Sequence, residues 1–296
     1  MITADKINSA TSVALGFFDG VHRGHTSLIN TAKEYATGDI KSVIYTLDTH
    51  PSAFFGSPVP MITSTDERLS VLKSMDTDYI YLQKTDRDFL NISPEDFVDE
   101  ILVKRLNAAY VVSGENYTFG KNKSGNCELL KKLCDEKGIK YTVVPYLKEE
   151  NQIISSSLIR TKLSEGIISD ANKMLGRPFS LSGTVIHCRN VGHTLGFPTA
   201  NILPPENIKL PMPGVYATTT IVSGKSYPSI TNVGTAPTFS ENKTIIESHI
   251  LDFKEDIYSK EIKIEFIKLL RPQKKFSSAV LLSEQLKKDT DARRKI

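Results

Sequence analysis

The hydrophobic positions in the first half of the chain form short runs that alternate with amphipathic stretches. Between the runs, apolar residues recur at helical spacing, as at Leu28, Ile29 and Ala32. The alternation predicts a doubly wound α/β domain, whose ligands should lie at the carboxyl ends of the strands. The runs are rich in β-branched and aromatic residues, as is typical of strands buried on both faces. They lie at 12–17, 42–47, 79–83, 109–114 and 141–146.

The pattern changes after about residue 180, where Gly, Pro and Thr become frequent. Short alternating runs, separated by turn residues, lie at 183–187, 214–222, 227–234, 244–251 and 261–270. They predict a small antiparallel β-barrel or sandwich, followed by a terminal helix over 277–289. Because Gly176 and Pro178 interrupt the preceding helical pattern, we predict two domains, residues 1–178 and 179–296.

Composition narrows the class of protein. Of 296 residues, 40% are hydrophobic and 24% are charged, and the formal net charge is +3. These values are typical of a globular protein, and so small a positive excess argues against a surface that coats nucleic acid. No apolar run reaches the roughly 18 residues of a membrane helix, and the N-terminal sequence does not resemble a secretory signal. The three cysteines have no zinc-site spacing, which favours free thiols in a cytoplasmic protein.

A loop with candidate phosphate ligands follows the first predicted strand. From Gly16 to His25 it reads GFFDGVHRGH. A glycine-containing loop between a strand and a helix directs backbone N–H groups toward an anion. His22 and His25 can each hydrogen-bond a phosphate oxygen, and Gly24 lets the phosphate chain approach the backbone. The alternative is that both histidines are solvated residues at a helix start.

A second segment, ISSSLIR at 154–160, offers hydroxyl groups at another predicted helix start. Ser155, Ser156 and Ser157 can cap this helix. They can also donate to phosphate oxygens, with Arg160 as a bidentate clamp. The presence of the histidine loop on the same predicted domain favours the phosphate interpretation.

The second half opens with a long loop, GTVIHCRNVGHTLGFPTANI at 183–202. Long loops inside compact domains are more often functional than structural. Thr199 and Asn201 carry oxygens of the kind that bind Mg²⁺, and the glycines let the backbone wrap phosphates. The alternative is a cluster of β-turns that Pro198 makes rigid.

The motifs of the first half resemble those of a known family. GFFDGVHRGH and ISSSLIR resemble the HxGH and ISSxxxR segments of nucleotidyltransferases, and more narrowly the adenylyltransferase half of bacterial bifunctional riboflavin kinase/FAD synthetases. LDTHP at 47–51 resembles that family's segment after the second strand, and GENYTFG at 114–120 resembles its flavin-side loop. The resemblance implies a nucleotidyltransferase-type Rossmann-like domain that converts FMN and ATP to FAD and pyrophosphate.

The same resemblance implies roles for individual residues. His22 and His25 would be the catalytic pair that stabilises the α- and β-phosphates, and Ser155, Ser156 and Arg160 would hold the leaving pyrophosphate. The implied ATP site consists of Gly16, Phe17, Phe18, His22, Gly24, His25, Ser155, Ser156, Ser157 and Arg160. The implied flavin site consists of Asp48, His50, Asn116 and Phe119.

The second half resembles riboflavin kinases over most of its length, in the segments GFPTAN, PGVYA, NVGTAPTF, IESHILDF and LLRP. The resemblance implies that Glu247 is the catalytic base, which takes the proton of the ribityl 5′-hydroxyl while Mg-ATP donates its γ-phosphoryl group. From the residues alone, the favoured interpretation of Glu247 is an outward-facing strand residue. The implied ATP site consists of Gly183, Gly192, Gly196, Pro198, Thr199 and Asn201, with Mg²⁺ at Thr199 and Asn201 and a flavin contact at Arg271.

Together the motifs predict a bifunctional enzyme that makes FMN from riboflavin and FAD from FMN, using ATP and Mg²⁺. Small molecules are then its expected partners, rather than nucleic acid or membrane, and we expect a monomer or a weak homo-oligomer. One alternative is an FMN adenylyltransferase alone, because Cys188 and His193 stand where kinases of the family usually carry Gly and commonly Arg. A less favoured alternative is a flavin-sensing regulator that contacts RNA through Lys287, Lys288, Arg293, Arg294 and Lys295.

Overall fold

The computed structural model describes residues 6–56, 58–187, 197–235 and 244–296. The chain forms two compact units, Met1–Ser156 and Ser157–Ile296. The first is built around a parallel sheet with helices, and the second around an antiparallel sheet. Among the described residues, no helix is long and apolar enough to cross a membrane.

The first unit contains a five-stranded parallel sheet. Its spatial order is β3-β2-β1-β4-β5, and the neighbouring strands pair in parallel. Helices cover both faces, which is why the strands read as continuous apolar runs in the sequence. All five predicted strands are confirmed. They are β1 (Thr11–Leu15), β2 (Lys41–Leu47), β3 (Tyr79–Gln83), β4 (Ala108–Gly114) and β5 (Lys140–Val144).

Helices pack against both faces of this sheet. They are α1 (Arg23–Tyr35), α2 (Thr65–Lys73), α3 (Arg87–Leu90), α4 (Pro94–Asp96), which continues as a π-helix over Phe97–Arg105, and α5 (Cys127–Glu136). Leu28, Ile29 and Ala32 of α1 share one core with α2, and the π-helix and α5 form the core on the other face. Ser93 caps α4, because its Oγ accepts a hydrogen bond from the Asp96 N–H at 2.9 Å.

A short hairpin ends the first unit. Its strands are β6 (Lys148–Glu149) and β7 (Gln152–Ile153). The Arg23 guanidinium lies 2.7 Å from a Glu149 carboxylate oxygen, and this ion pair ties the hairpin to the start of α1. The hairpin leads into α6 (Ser156–Ser164), so the hydroxyl-rich segment directly follows the hairpin.

The second unit is a strongly curled antiparallel sheet with the spatial order β8-β13-β10-β11-β12-β9. Its strands are β8 (Phe179–Thr184), β9 (Ala200–Ile202), β10 (Gly214–Val222), β11 (Lys225–Thr235), β12 (Thr244–Ile250) and β13 (Glu261–Pro272). Its two edges meet, because the Ile186 N–H donates to the Asn201 carbonyl at 2.8 Å. The predicted small barrel is thus confirmed as a curled sheet whose edge strands approach each other.

Two further helices belong to the second unit, α7 (Ile168–Leu175) and α8 (Ala279–Arg294). Both polar atoms of the Asn172 side chain in α7 hydrogen-bond to the sheet. Nδ2 donates to the Phe266 carbonyl of β13 at 2.8 Å, and Oδ1 accepts from the Phe179 N–H of β8 at 2.7 Å. α7 ends at Gly176, whose φ of 73° is the helix break that the sequence predicts. The predicted terminal helix is confirmed as α8.

Two details of the second unit differ from the sequence prediction. The first strand spans Phe179–Thr184 rather than 183–187, because the chain pairs with β13 directly after the Gly176 turn. The three-residue strand β9 is not predicted, since it lies within a segment that reads as a turn-rich loop. The domain boundary at residue 178 stays a prediction. The compact units divide at Ser156, so that α7 groups with the second unit.

Candidate functional sites

The first candidate site lies where the strand order of the parallel sheet reverses. Strands β2 and β3 lie on one side of β1, and β4 and β5 lie on the other. In open α/β sheets, ligands bind at the carboxyl ends of the strands beside such a reversal. Gly16–His22 follows β1 and Glu115 follows β4, so the motif loops of the first half lie at this position.

The loop after β1 has an unusual backbone conformation. Phe18 and Val21 have positive φ angles of 60° and 41°, which are costly for side chains with a Cβ and most costly for a β-branched residue. Both side chains are buried, and a Cβ on Gly16 would lie 2.9 Å from the Phe18 ring. Backbone strain that packing maintains is characteristic of ligand-binding loops.

His22 and His25 stack on each other at the start of α1. Their ring centroids are 3.5 Å apart, and the planes differ by 15°. The His25 N–H donates to Nδ1 of His22 at 3.3 Å, and the His22 N–H donates to Nδ1 of His25 at 3.4 Å. Because each Nδ1 accepts, each neutral ring carries its proton on Nε2. The pair therefore supplies Nε2–H donors at the positive end of a helix, where a phosphate is favoured.

The structure brings the start of the hydroxyl-rich segment against this loop. Ser156 Oγ donates to the Asp19 carbonyl at 2.9 Å. A Cβ on Gly24 would lie 3.6 Å from the Ile154 carbonyl oxygen, so the two segments are in close contact. The other predicted ligands divide at the unit boundary, with Ser155 in the first unit and Ser157 and Arg160 in the second.

A buried arginine that the sequence analysis does not single out joins the loops after β1 and β2. Arg68 of α2 is 2% exposed. Its guanidinium donates to the Phe17 carbonyl, to Thr46 Oγ1 at 2.9 Å and to the Leu47 carbonyl at 2.7 Å. The guanidinium carbon also lies 4.1 Å from the centroid of the Phe17 ring. Through these hydrogen bonds, Arg68 holds the loop after β1 against the carboxyl end of β2.

The charge of Arg68 matters as well as its hydrogen bonds. Burial lowers the pKa of Arg68 to about 10, and the nearby Asp19 and Asp48 carboxylates oppose this shift. The guanidinium therefore stays protonated at neutral pH and places a buried positive charge beneath the predicted phosphate loop. In the sequence, the feature that could have indicated this role is an arginine at an inward-facing position of α2, beside the buried Leu69 and Leu72.

Two of the predicted flavin residues lie at the end of β2. Asp48 Oδ1 accepts a hydrogen bond from the Thr85 N–H at 2.9 Å. His50 packs edge-on against Phe17, with 4.7 Å between centroids, and its Nδ1 accepts from the Ser52 N–H at 3.1 Å. Through Phe17, His50 is in contact with the loop after β1.

The other two predicted flavin residues differ sharply in exposure. Asn116 is exposed just beyond β4. Phe119 is 6% exposed and packs against Phe97, with 5.2 Å between ring centroids. Its ring covers Gly125, where a Cβ would lie only 2.6 Å away. The contacts of Phe119 are therefore those of a core residue, and its flavin contact stays a prediction.

The second candidate site is a row of polar residues across three neighbouring strands. Asn201 of β9, Glu247 of β12 and Asn232 of β11 are register partners. Asn232 Nδ2 donates to Glu247 Oε2 at 3.0 Å. Asn201 is 2% exposed, and within the described part of the chain its Oδ1 has no hydrogen-bond partner. A predicted base and a predicted metal ligand thus lie side by side.

The segment that leads into β9 lies against the same strand as Glu247. Nδ1 of His249 lies 2.8 Å from the Pro198 carbonyl oxygen, and the His249 ring packs on Phe197 with 5.3 Å between centroids. Thr199 follows and is partly buried. Four residues discussed for this site lie outside the described residues: Cys188, Gly192, His193 and Gly196.

The two remaining predicted ligands have structural contacts. A Cβ on Gly183 of β8 would lie 3.2 Å from Cβ of Ile202, so glycine permits the sheet edges to meet. Arg271 at the end of β13 binds Asp289 of α8 through Nε at 3.1 Å and Nη2 at 2.8 Å. The ligand roles of Gly183 and Arg271 stay predictions.

The basic C-terminal residues are partly used within the fold. Arg293 Nε donates to the Thr218 carbonyl at 2.9 Å, and Arg293 is only 8% exposed. Arg294 pairs with Asp252 at 2.9 Å. At least these two cations serve to dock α8 on the sheet, which weakens the RNA-contact hypothesis.

Together the two units define a two-part, nucleotide-dependent transferase. The family model described as FAD synthetase matches residues 4–158, and the one described as riboflavin kinase matches residues 175–296. This chain belongs to the family of bifunctional riboflavin kinase/FMN adenylyltransferases.

Relatives that carry this name match nearly the full chain. The protein from Bacillus subtilis (strain 168) is 37% identical, over 96% of this chain and 92% of the relative. The protein from Escherichia coli (strain K12) is 31% identical, over 94% of this chain and 90% of the relative. A crystal structure from Streptococcus pneumoniae, named as that of a macrolide-efflux protein, matches with a TM-score of 0.88 and 31% identity, over 97% of this chain and 95% of its own. We do not apply the efflux name of that structure to this chain, because both family models and both relatives carry the names of flavin enzymes.

Proposed function

We propose that this chain makes FAD from riboflavin in two ATP-dependent reactions, one at each candidate site. The observation that carries the proposal is the coincidence of each polar constellation with the matching family model: the histidine loop lies within residues 4–158, and the Glu247 row lies within 175–296. The first site is proposed for adenylyl transfer to FMN, and the second for phosphoryl transfer to riboflavin.

Adenylyl transfer needs positioning and charge neutralisation rather than a covalent intermediate. An FMN phosphate oxygen attacks the α-phosphorus of ATP, and the bond between that phosphorus and the bridging oxygen of the β-phosphate breaks. His22 and His25 donate Nε2–H groups to the phosphate oxygens as negative charge shifts to the leaving pyrophosphate. Arg68 holds the loop and adds a buried positive charge beneath it. Ser155 and Ser156 are proposed donors, while Ser157 and Arg160 stay predictions.

Phosphoryl transfer in the second unit needs a base for the substrate hydroxyl. The 5′-oxygen of the ribityl chain attacks the γ-phosphorus of ATP, ADP leaves, and a Glu247 oxygen takes the hydroxyl proton. Asn232 already binds Oε2 of Glu247, which leaves Oε1 as the proposed proton acceptor.

The residues at the second site fit the Mg²⁺ that this reaction implies. The buried Oδ1 of Asn201, which lacks a partner among the described residues, is a hard oxygen ligand next to Glu247. Thr199, two residues earlier, offers a hydroxyl oxygen. Mg²⁺ typically uses one or two protein oxygens together with substrate phosphates and water. Bound there, it would neutralise charge on the transferred phosphoryl group.

The direct test is to incubate the purified protein with ATP, Mg²⁺ and either riboflavin or FMN, and to separate the flavins by chromatography. Riboflavin should give FMN and then FAD, and FMN should give FAD. FAD from FMN without FMN from riboflavin would select the adenylyltransferase-only alternative, and Cys188→Gly should then raise kinase activity. The formation of neither product would overturn the proposal.

The setting of these reactions is proposed on chemical grounds. Cys127 and Cys134 are free thiols, and the buried Cys134 is typical of a protein in a reducing compartment, so we place the enzyme in the cytoplasm. Its proposed partners are ATP, riboflavin and FMN, and its proposed state is a monomer or weak homo-oligomer. Sedimentation of the pure protein over a range of concentrations would test the oligomeric state.

A further inference from the structure

The environment of Glu247 contains an ordered chain of amides. Asn232 Nδ2 donates to Glu247 Oε2 at 3.0 Å, and Gln273 Nε2 donates to Asn232 Oδ1 at 3.3 Å. Asn232 and Glu247 are direct register partners on β11 and β12. The contact is therefore fixed by the sheet rather than by a mobile loop.

The Gln273 contact determines which way the Asn232 amide points. An amide has one acceptor oxygen and one donor nitrogen, and an ionised carboxylate accepts only. With Oδ1 accepting from Gln273, the Nδ2 group of Asn232 faces Glu247. A Cβ on Gly234 would overlap the Gln273 amide, so the glycine on β11 leaves room for this side chain.

The described groups beside Glu247 on the neighbouring strands are neutral amides. Asn201 of β9 is its register partner on one side, and Asn232 of β11 is its partner on the other. On β12 itself, the nearest titratable residue in the same alternation is His249, whose Nδ1 is at the Pro198 carbonyl. Among the residues that the structure describes, one oriented N–H donor, on Asn232, contacts the carboxylate.

We propose that Asn232 is a positioning residue of the kinase reaction, which holds Oε2 of Glu247 so that Oε1 faces the substrate hydroxyl. This inference rests on the proposed role of Glu247 as the base. Gln273 contributes by keeping the Asn232 amide in the donating orientation.

The test replaces the donor by an acceptor of the same shape. In Asn232→Asp a carboxylate replaces the N–H donor and repels Glu247, so Oε2 is no longer held in place. We expect kcat for riboflavin phosphorylation to fall by about tenfold or more. KM for ATP should stay within about twofold, since ground-state binding of ATP is untouched.

The matched control is Asn207→Asp, which adds the same charge at an exposed residue in the turn after β9. Aspartate tolerates the φ of 56° there, so this variant should keep the wild-type kcat and KM. FAD formation from FMN serves as an internal control in both variants. If Asn232→Asp does not fold, Gln273→Ala tests the proposal instead. Gln273 is exposed, so its truncation should not prevent folding, and the loss of its bond to Asn232 should also lower kcat.

The outcomes separate this inference from the proposed function. If Glu247→Gln keeps full kinase activity, the role of Glu247 as the base is wrong. If Glu247→Gln is inactive while folded Asn232→Asp has the wild-type kcat, the positioning role alone is overturned. A loss of kcat accompanied by an equally large rise in KM for ATP also overturns it, because it indicates a merely structural effect.

Discussion

At the scale of single residues, both candidate sites use side chains that hydrogen bonds from neighbouring groups have already oriented. His22 and His25 each accept a backbone N–H on Nδ1, so the neutral form of each ring carries its proton on Nε2. Glu247 receives the amide of its register partner Asn232. Such preorganisation lowers the entropy that must be lost when the substrate binds.

The two reactions should be separable by single substitutions. His25→Ala removes one Nε2–H donor and should lower FAD formation from FMN by about a hundredfold or more. Riboflavin phosphorylation should remain within about twofold of wild type, because His25 lies in the other unit. Glu247→Ala should have the reverse effect. The measurement is the initial rate of each reaction, and loss of both rates in a folded variant would refute the two-site assignment.

Asn201 should show a trade-off between stability and activity. The buried Oδ1 of Asn201 has no partner within the described part of the chain. An unpaired buried oxygen costs free energy, and an apolar group of similar size relieves that cost. Asn201→Leu should therefore keep or raise Tm while lowering the kinase kcat by about a hundredfold. Calorimetry and the two flavin assays measure this directly, and unchanged FAD formation is the control. A kinase rate equal to wild type would show that Asn201 is not a metal ligand.

At the scale of secondary structure elements, the sequence predicts the helices and strands whose hydrophobic pattern is long enough to be recognised. The strands β1 to β5 are visible because burial on both faces makes them uniformly apolar. The strands β6, β7 and β9 are two or three residues long, which is too short for any alternation to appear. α4 is visible through Ser93 and Pro94, although its continuation as a π-helix is not.

The candidate sites, like the secondary structure elements, are predictable from the sequence only in part. The histidine loop, the hydroxyl segment and Glu247 are found through contiguous motifs. Arg68 and the role of Asn232 are not, because their partners lie far away in the sequence: Arg68 reaches back 51 residues to Phe17, and Asn232 reaches 15 residues to Glu247. Only the folded sheet brings these groups together.

The terminal helix α8 should depend on a buried ion pair. Asp289 is 4% exposed and accepts hydrogen bonds from Arg271 and, at 2.8 Å, from Gln285. Asp289→Ala leaves the partly buried Arg271 guanidinium without its carboxylate, and should destabilise the second unit by about 3 kcal/mol.

The matched control for Asp289→Ala is Asp252→Asn. It removes the charge of the exposed Arg294 pair while asparagine tolerates the φ of 57° at this position, so it should cost less than about 1 kcal/mol. Urea denaturation of both variants measures the difference. Equal effects would show that α8 is not anchored through Arg271.

At the scale of the whole molecule, one property follows from several buried groups of the first unit acting together. Desolvation raises the pKa of the Cys134 thiol from 9.0 to about 12, and burial also raises the pKa values of the Tyr45, Tyr117 and Tyr141 phenols. For each group the proton is held more tightly in the folded state than in the unfolded state. The resulting stabilisation is complete below the unfolded pKa and is lost as the pH rises toward the folded value.

The first unit should therefore lose stability steadily above pH 9. Urea midpoints between pH 7 and 11, followed through FAD synthesis as well as by circular dichroism, measure this loss. Cys134→Ala should make the decline shallower near its onset, since the thiol has the lowest unfolded pKa of the set. A midpoint independent of pH up to 11 would contradict the assigned burial of these groups.

The alternation of β12 places Glu247 on one side of the sheet and its neighbour on the other. Ser248 is fully buried, and its hydroxyl lies 2.8 Å from Thr220 Oγ1 and 3.2 Å from Thr231 Oγ1. Inserting one residue into β12 ahead of Glu247 would turn the carboxylate inward among these hydroxyls and turn a serine toward the substrate. During evolution, changes in chain length are therefore tolerable in loops such as 251–260, whereas the strand that carries the base must keep its residue count.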